Sequence, residues 1–163
     1  MSEKKLEAIV AVYSDWGIGA DGTQPVTVSA DRKRFRELTE GAAVIMGRKT
    51  LADFPGGKPL KNRVNIVLTR GTPVEGAVTV RSAAEALEEA EKYGRTLVIG
   101  GESIYREFLP HIGRIYVTKL DCRPHSNVFF PNLDDDPAWR VVKASAEQEE
   151  DDLSFRFLTY ERT

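Results

Sequence analysis

Leu97-Val98-Ile99-Gly100-Gly101-Glu102-Ser103-Ile104-Tyr105 is a short apolar, β-like run that meets two glycines and then takes up a helical pattern. Val44-Ile45-Met46-Gly47-Arg48-Lys49-Thr50 has the same arrangement earlier in the chain. A helix N-terminus offers unpaired backbone N–H groups and the positive end of a dipole, and glycine lets an anion approach the main chain closely. Two such junctions suit a ligand with more than one phosphate. Arg48 and Lys49 favour a polyanion, so a dinucleotide fits better than a sugar phosphate. The spacing matches neither Gly-x-Gly-x-x-Gly nor a P-loop. Taken alone, each junction also reads as a plain turn after a strand.

Working outward from these junctions, apolar alternation and β-branched residues predict strands over Glu7–Ser14, Ala43–Met46, Val64–Thr69, Ala77–Val80, Thr96–Ile99, Arg114–Leu120, Arg140–Ala146 and Ser154–Glu161. Helices fall between the early ones. Ser29 is placed to cap Ala30–Thr39, and Ser82 with Glu85 forms a capping box that opens a helix ended by Gly94. A shorter helix follows Gly47 through Phe54, and another runs from Glu102 to Leu109 before Pro110 stops it. Strands alternating with helices give a mostly parallel sheet, and the last two strands read as a hairpin that adds an antiparallel edge. In such a sheet a ligand lies across the carboxyl ends of the strands, where both glycine junctions fall.

The chain has 163 residues, 41% hydrophobic and 29% charged, and a formal net charge of -2. That length suits one domain with a single core, and the charge gives no basic stripe for nucleic acid. Cys122 is the one cysteine, so no internal disulfide forms, and with two histidines it makes a poor metal-ligand set. A reducing, cytoplasmic setting follows. Met1 to Lys5 is polar, and no apolar run is long enough to span a bilayer. The acidic stretch Glu147-Gln148-Glu149-Glu150-Asp151-Asp152 reads as a solvated hairpin loop.

Trp16-Gly17-Ile18-Gly19-Ala20-Asp21-Gly22-Thr23-Gln24-Pro25 follows the first strand and is long and glycine-rich for a connector. It reads either as a mobile lid or as a loop that turns a corner. Asp31 lies in the first turn of the helix that begins where this loop ends. A buried, ionised carboxylate there can accept two parallel N–H bonds from an amidine-like edge, as on a 2-amino-4-oxo pyrimidine ring. Simple charge complementarity with the helix N-terminus is the plainer account of the same residue.

Ile9-Val10-Ala11, Gly17-Ile18-Gly19, Asp31 with Phe35, Val44 to Thr50, Asn65-Ile66-Val67-Leu68-Thr69-Arg70, Ile99-Gly100-Gly101, Tyr116-Val117-Thr118 and Phe129-Phe130-Pro131 stand in an order that resembles dihydrofolate reductase. The resemblance runs from the first strand to nearly the last. It implies an α/β fold over residues 1–163: one dihydrofolate-reductase-like domain with a central, mostly parallel eight-stranded sheet, an antiparallel C-terminal edge strand and about four flanking helices. It also implies NADPH as cofactor, 7,8-dihydrofolate as substrate, and a cytoplasmic monomer without nucleic-acid, membrane or metal partners.

The resemblance further implies roles. Asp31 grips the pterin, with Thr118 in the same network as the catalytic pair. Ile9, Val10, Phe35, Leu60 and Ile99 line the substrate cleft, and Arg63 clamps the α-carboxylate of the glutamate tail. For NADPH, the backbone of Ala11 and Ile18 meets the nicotinamide amide beside Gly19, and Tyr105 lies near the ring. Gly100, Gly101 and Glu102, followed by Ser103 and Ile104, cradle the pyrophosphate. Gly47, Arg48, Lys49 and Thr50 flank the other side, Leu68 and Thr69 border the site, and Arg48, Arg70 and Arg81 converge on the 2′-phosphate.

Four positions depart from the family pattern. Pro25-Val26 stands where Pro-Trp is usual, Gln24 replaces an apolar lid residue, Arg32 follows Asp31 where an apolar contact is expected, and Asn127 replaces an aspartate common in some members. A same-fold reductase of a riboflavin-pathway pyrimidine or another pteridine, and a module that binds NADPH without turnover, are the alternative readings.

Overall fold

Apolar residues alternate along Leu6–Tyr13, and a computed structural model, which describes residues 6–20 and 24–163, makes this segment strand β1. Ala8, Val10 and Val12 face one apolar cluster and Ile9 faces another. In chain order the other strands are β2 (Gly17–Gly19), β3 (Ala43–Gly47), β4 (Val64–Leu68), β5 (Val78–Val80), β6 (Thr96–Gly100), β7 (Ile112–Leu120), β8 (Val128–Phe129), β9 (Trp139–Ala144), β10 (Gln148–Glu150) and β11 (Leu153–Arg162). The helices are α1 (Ser29–Thr39), α2 (Arg48–Ala52), α3 (Ala83–Ala90) and α4 (Glu102–Phe108).

The main sheet runs β10-β11-β7-β1-β6-β3-β4-β5, and β9 also pairs with β11. From β7 to β5 every pairing is parallel, whereas β11 is antiparallel to β7, β9 and β10. β10 pairs with Leu153 to Phe155 and β9 with Leu158 to Arg162, both on the side of β11 away from β7. The two therefore share one strand position, and the sheet has eight. The antiparallel part is wider than a single edge strand, since β11 lies inside and β9 with β10 forms the border.

Helices cover both faces. Phe35 and Leu38 of α1 and Leu51 of α2 pack with Ile9, Val44, Met46, Val67, Leu97 and Ile99. Ala86 and Ala90 of α3 and Ile104, Tyr105 and Phe108 of α4 pack with Ala8, Val10, Ile45, Val98 and Val117 on the opposite face. Strands buried on both sides explain the continuous apolar runs of β3 and β6.

All eight expected strands are present, with ends within two residues of their expected bounds. Three details differ from the sequence reading. Ser29 does not cap α1: Val28 holds the cap position without a side-chain bond, and Glu150 of β10 takes over that function. α3 ends at Ala90, before Gly94, because Glu91 and Lys92 turn back with i→i−3 bonds to Glu88 and Glu89 and the acidic last turn opposes the helix dipole. Beyond Phe108, Leu109–His111 forms a 3₁₀ turn, with Pro110 tolerated in its first residues. The small pairing of β2 with β8, and strand β10, have too few residues to show a period. No helix among the described residues is long and apolar enough to cross a membrane.

Candidate active site

β3 and β6 are adjacent and parallel, with Met46 in register with Gly100, so the two glycine junctions end side by side. A Cβ on Gly47 would come within 3.1 Å of the Ile104 side chain, and one on Gly100 within 3.2 Å of Thr50 Oγ1. Gly100 also has φ +129°, a region that L side chains rarely adopt. The Gly100–Gly101 peptide is cis. Both junctions open onto a cleft of about 610 Å³.

Most residues expected to hold a nucleotide are walls of this cleft. Ala11, Ile18, Gly19, Leu68 and both junctions, Gly47 to Thr50 and Ile99 to Tyr105, line it, together with Val10 from the expected substrate set. Thr69, Arg70 and Arg81 do not. Arg81 Nη1 donates to the carbonyls of Gly71 at 2.6 Å and Thr69 at 3.3 Å, and Arg48 Nη1 donates to that of Thr72 at 2.6 Å. Two guanidinium groups thus brace the 69–72 turn beside the cleft, and Arg70 is exposed on the same turn. Tyr105 is buried by α4 packing, and its hydroxyl donates to the Ile9 carbonyl at 2.8 Å. Burial pushes this phenol far above its ordinary value, so it keeps the proton that it donates.

The other expected substrate residues, Ile9, Asp31, Phe35, Leu60, Arg63 and Thr118, are not walls of this cleft. Thr118 is in register with Ala11 on one flank and Phe157 on the other. Its hydroxyl donates to Asp31 Oδ1 at 2.5 Å. Burial raises the Asp31 carboxyl above the ordinary aspartate value, while the Thr118 bond, Arg34 and Arg32 pull it back down. Ile9, Phe35, Leu60 and Ile99 share one apolar cluster. Ile99 also lines the cleft and so ties this cluster to it. Leu60 is held by Asn65, whose side chain accepts from the Leu60 N–H at 3.0 Å and donates to its carbonyl at 2.9 Å.

Arg63 lies at the far end of α1. Its Nη1 donates to Thr39 Oγ1 at 3.2 Å and its Nε to the Lys61 carbonyl at 2.8 Å, and burial lowers its pKa. Asp31 and Thr39 are eight residues apart, or about 12 Å along the helix. Along α1 the carboxylate stands near one end and the Arg63 guanidinium at the other, with Phe35 and Leu38 of the apolar cluster between them.

Each departure from the family pattern has a defined place. Val26 is fastened by the Tyr13 hydroxyl, which accepts from its N–H at 3.1 Å and donates to its carbonyl at 3.3 Å. Gln24 lines the cleft and donates from Nε2 to the Ala11 carbonyl at 2.8 Å. Arg32 turns outward to Thr27 Oγ1 at 2.9 Å, and the main-chain N–H of Asn127 donates to the Gly19 carbonyl at 3.0 Å. The expected lid is partly anchored. Trp16 is buried, stacks on Phe130 and lies under Lys119, and β2 pairs with β8. Asp21 to Thr23 of that loop lie outside the described residues.

A family model described as dihydrofolate reductase matches residues 5–162. The chain belongs to the dihydrofolate reductase family. The dihydrofolate reductase of Bacillus subtilis is 32% identical over 161 residues, covering 96% of this chain and 94% of that one. The dihydrofolate reductase of Mycobacterium leprae is 38% identical over 152 residues, covering 90% and 91%. A solved dihydrofolate reductase from Enterococcus faecalis, complexed with NADP(H) and RAB-propyl, superposes with a TM-score of 0.86 at 31% identity, over 97% of this chain and 96% of that one.

Against the dihydrofolate reductase pattern, the sequence reading misses Asp53, Phe54 and Val128 as cleft walls and Arg34 as a neighbour of Asp31. Phe54 is legible in principle, four residues beyond Thr50 on the same short helical stretch. Val128 has no local signal, because only its pairing with β2 carries it to the cleft.

Proposed function

We propose that the protein reduces 7,8-dihydrofolate to 5,6,7,8-tetrahydrofolate with NADPH, and that Asp31 and Thr118 hold the pterin. The observation that carries this reading is the half-buried Asp31 carboxylate, bonded to Thr118 near one end of α1, with Arg63 bonded to Thr39 at the other end and apolar Phe35 between them. The free carboxylate lone pairs can accept from a 2-amino group and the adjacent ring N–H, a charge-assisted pair of bonds. Ile9, Phe35, Leu60 and Ile99 offer apolar surface to the middle of the substrate, and Arg63 offers a bidentate partner for its α-carboxylate.

The glycine junctions fit a nucleotide because side chains at Gly47 and Gly100 would fill the space beside Ile104 and Thr50. NADPH bound there supplies a hydride to pterin C6, and N5 gains a proton. Ala11 and Ile18 can orient the nicotinamide amide, and the Gly100–Glu102 backbone can receive the pyrophosphate. Arg48 and Lys49 add positive charge, with Arg70 and Arg81 close by on or against the 69–72 turn. The chain needs no nucleophile of its own. Its residues bring two rings together, exclude water and place a negative charge that favours protonation at N5.

The reading includes a cytoplasmic monomer with small-molecule partners, and the lone thiol of Cys122 suits a reducing compartment. The test is loss of the near-ultraviolet NADPH absorbance with 7,8-dihydrofolate, with methotrexate added midway. Methotrexate-sensitive turnover is the expected result. NADPH binding without turnover would transfer the reading to another pteridine or a pyrimidine.

A further inference from the structure

We infer that Arg34 is a positioning residue for Asp31: its half-buried guanidinium, held over two rings, fixes the charge of the carboxylate and with it the pH range in which the site works. The link to the reaction rests on the function proposed above, but the coupling between the two side chains does not.

Asp31 and Arg34 are three residues apart on α1 and so share the helix face turned to β7 and β11. The guanidinium carbon lies 4.5 Å from the centre of the Phe157 ring and 5.7 Å from that of Tyr116. Phe157 is in register with Thr118, and Tyr116 precedes it by two residues on the same strand. The rings therefore hold Arg34 over the part of the sheet that supplies the Asp31 hydrogen bond. Tyr116 is itself tied down, since its hydroxyl donates to Glu7 at 3.0 Å and accepts from Arg95 at 3.2 Å.

Stacking accounts for the apolar faces of the guanidinium but leaves its N–H edge. Nη1 is buried with no hydrogen-bond partner, and among the described residues no carboxylate forms an ion pair with Arg34. A buried N–H donor without an acceptor is costly, and the negative charge of Asp31 is the compensation available on its own helix face. The groups that face Asp31 are few. Arg32 and Arg34 come from α1, the Thr118 hydroxyl from β7 and the Tyr105 phenol from α4, while the Tyr116 phenol of β7 and uncharged Phe157 of β11 face Arg34. Arg32 is exposed and bonded to Thr27, which leaves Arg34 as the cation held in place.

The experiment is a pH titration of the aspartate side-chain carboxyls by carbon NMR on the free protein, with the Asp31 signal assigned by its loss in Asp31→Asn. Arg34→Met retains an unbranched chain that can pack on both rings and removes the charge. We expect it to shift the ionisation equilibrium of Asp31 about tenfold toward the acid form, and Arg34→Lys to recover most of that shift. The pH profile of kcat/KM for dihydrofolate moves in the same direction. If Arg34→Met does not fold, Arg34→Gln, which keeps N–H donors without the charge, gives the same reading. An Asp31 midpoint that stays in place in the folded uncharged variant overturns the inference, whether or not the protein reduces dihydrofolate. A midpoint that moves while the kcat/KM profile stays fixed overturns the link to the reaction. Absence of turnover in the unaltered protein sinks the proposed function and leaves the titration readable.

Discussion

Asp31→Asn keeps the size of the side chain and removes its charge, so it separates substrate protonation from nucleotide binding. Turnover falls by about a hundredfold or more, while NADPH affinity, measured by fluorescence quenching, stays within the scatter of the unaltered protein. The same variant carries a stability signature. Burial raises the Asp31 carboxyl above its unfolded value, so folding favours the protonated form. The stability held in that form is complete below the unfolded pKa and is lost as pH rises through the folded one. Asparagine mimics the protonated state, so the melting temperature of Asp31→Asn gains on that of the unaltered protein from acid to neutral pH, whatever the fixed cost of removing the charge beside Arg34. A relative loss over the same range would contradict this sign. On the nucleotide side, Arg48→Ala narrows the preference for NADPH over NADH by about tenfold, the scale of one charge-assisted bond. An unchanged ratio of kcat/KM values would place the 2′-phosphate elsewhere.

Helix α1 presents Asp31, Arg34 and Phe35, yet its N-terminus is secured from the far end of the chain. Glu150 accepts from the Ser29 N–H at 2.7 Å, the Ser29 hydroxyl at 2.8 Å and the Ala30 N–H at 3.2 Å. Hydrogen bonds to the Ser29 backbone and side chain hold the Glu150 carboxyl below the ordinary glutamate value. Its contribution is therefore present above the unfolded pKa and is lost as pH falls through the folded one. Glu150→Ala is expected to speed hydrogen exchange in the first turn of α1 at neutral pH and to raise KM for dihydrofolate through looser placement of Asp31. Equal exchange rates would mean that Val28 and the helix suffice. This contact also shows where sequence reading stops. The acidic stretch from Glu147 to Asp152 has the composition of a solvated loop, and Ser29 has that of a cap. Only the pairing of β10 with β11 brings Glu150 to the helix and displaces the local cap. By contrast, Ser82 caps α3 as read, accepting from the Glu85 N–H at 3.1 Å, because that bond closes within four residues.

For the whole molecule we propose one domain over residues 1–163 and expect from it one cooperative unfolding transition, with NADPH at about a hundred times its Kd raising stability by about 2.7 kcal/mol. Calorimetry showing two transitions, with only one moved by NADPH, would divide the chain. The layers that make up this unit were legible in advance. β3 and β6 are short, apolar but for Thr96, and end at glycine, and that pattern determines buried parallel strands with a cleft at their carboxyl ends. Asp31 was legible too, since its place in the first turn of an amphipathic helix is a local property. What local pattern does not encode is what faces what across the sheet. The Asp31–Thr118 bond joins residues 87 apart, and the stack of Arg34 on Phe157 depends on the register between β7 and β11. By itself the sequence determined the strands, the glycine turns and the family, because hydrophobic period and backbone freedom act over a few residues. The tertiary structure alone decided the charge environment of Asp31 and the anchoring of its helix, because burial and long-range pairing bring those partners together only when the chain is folded.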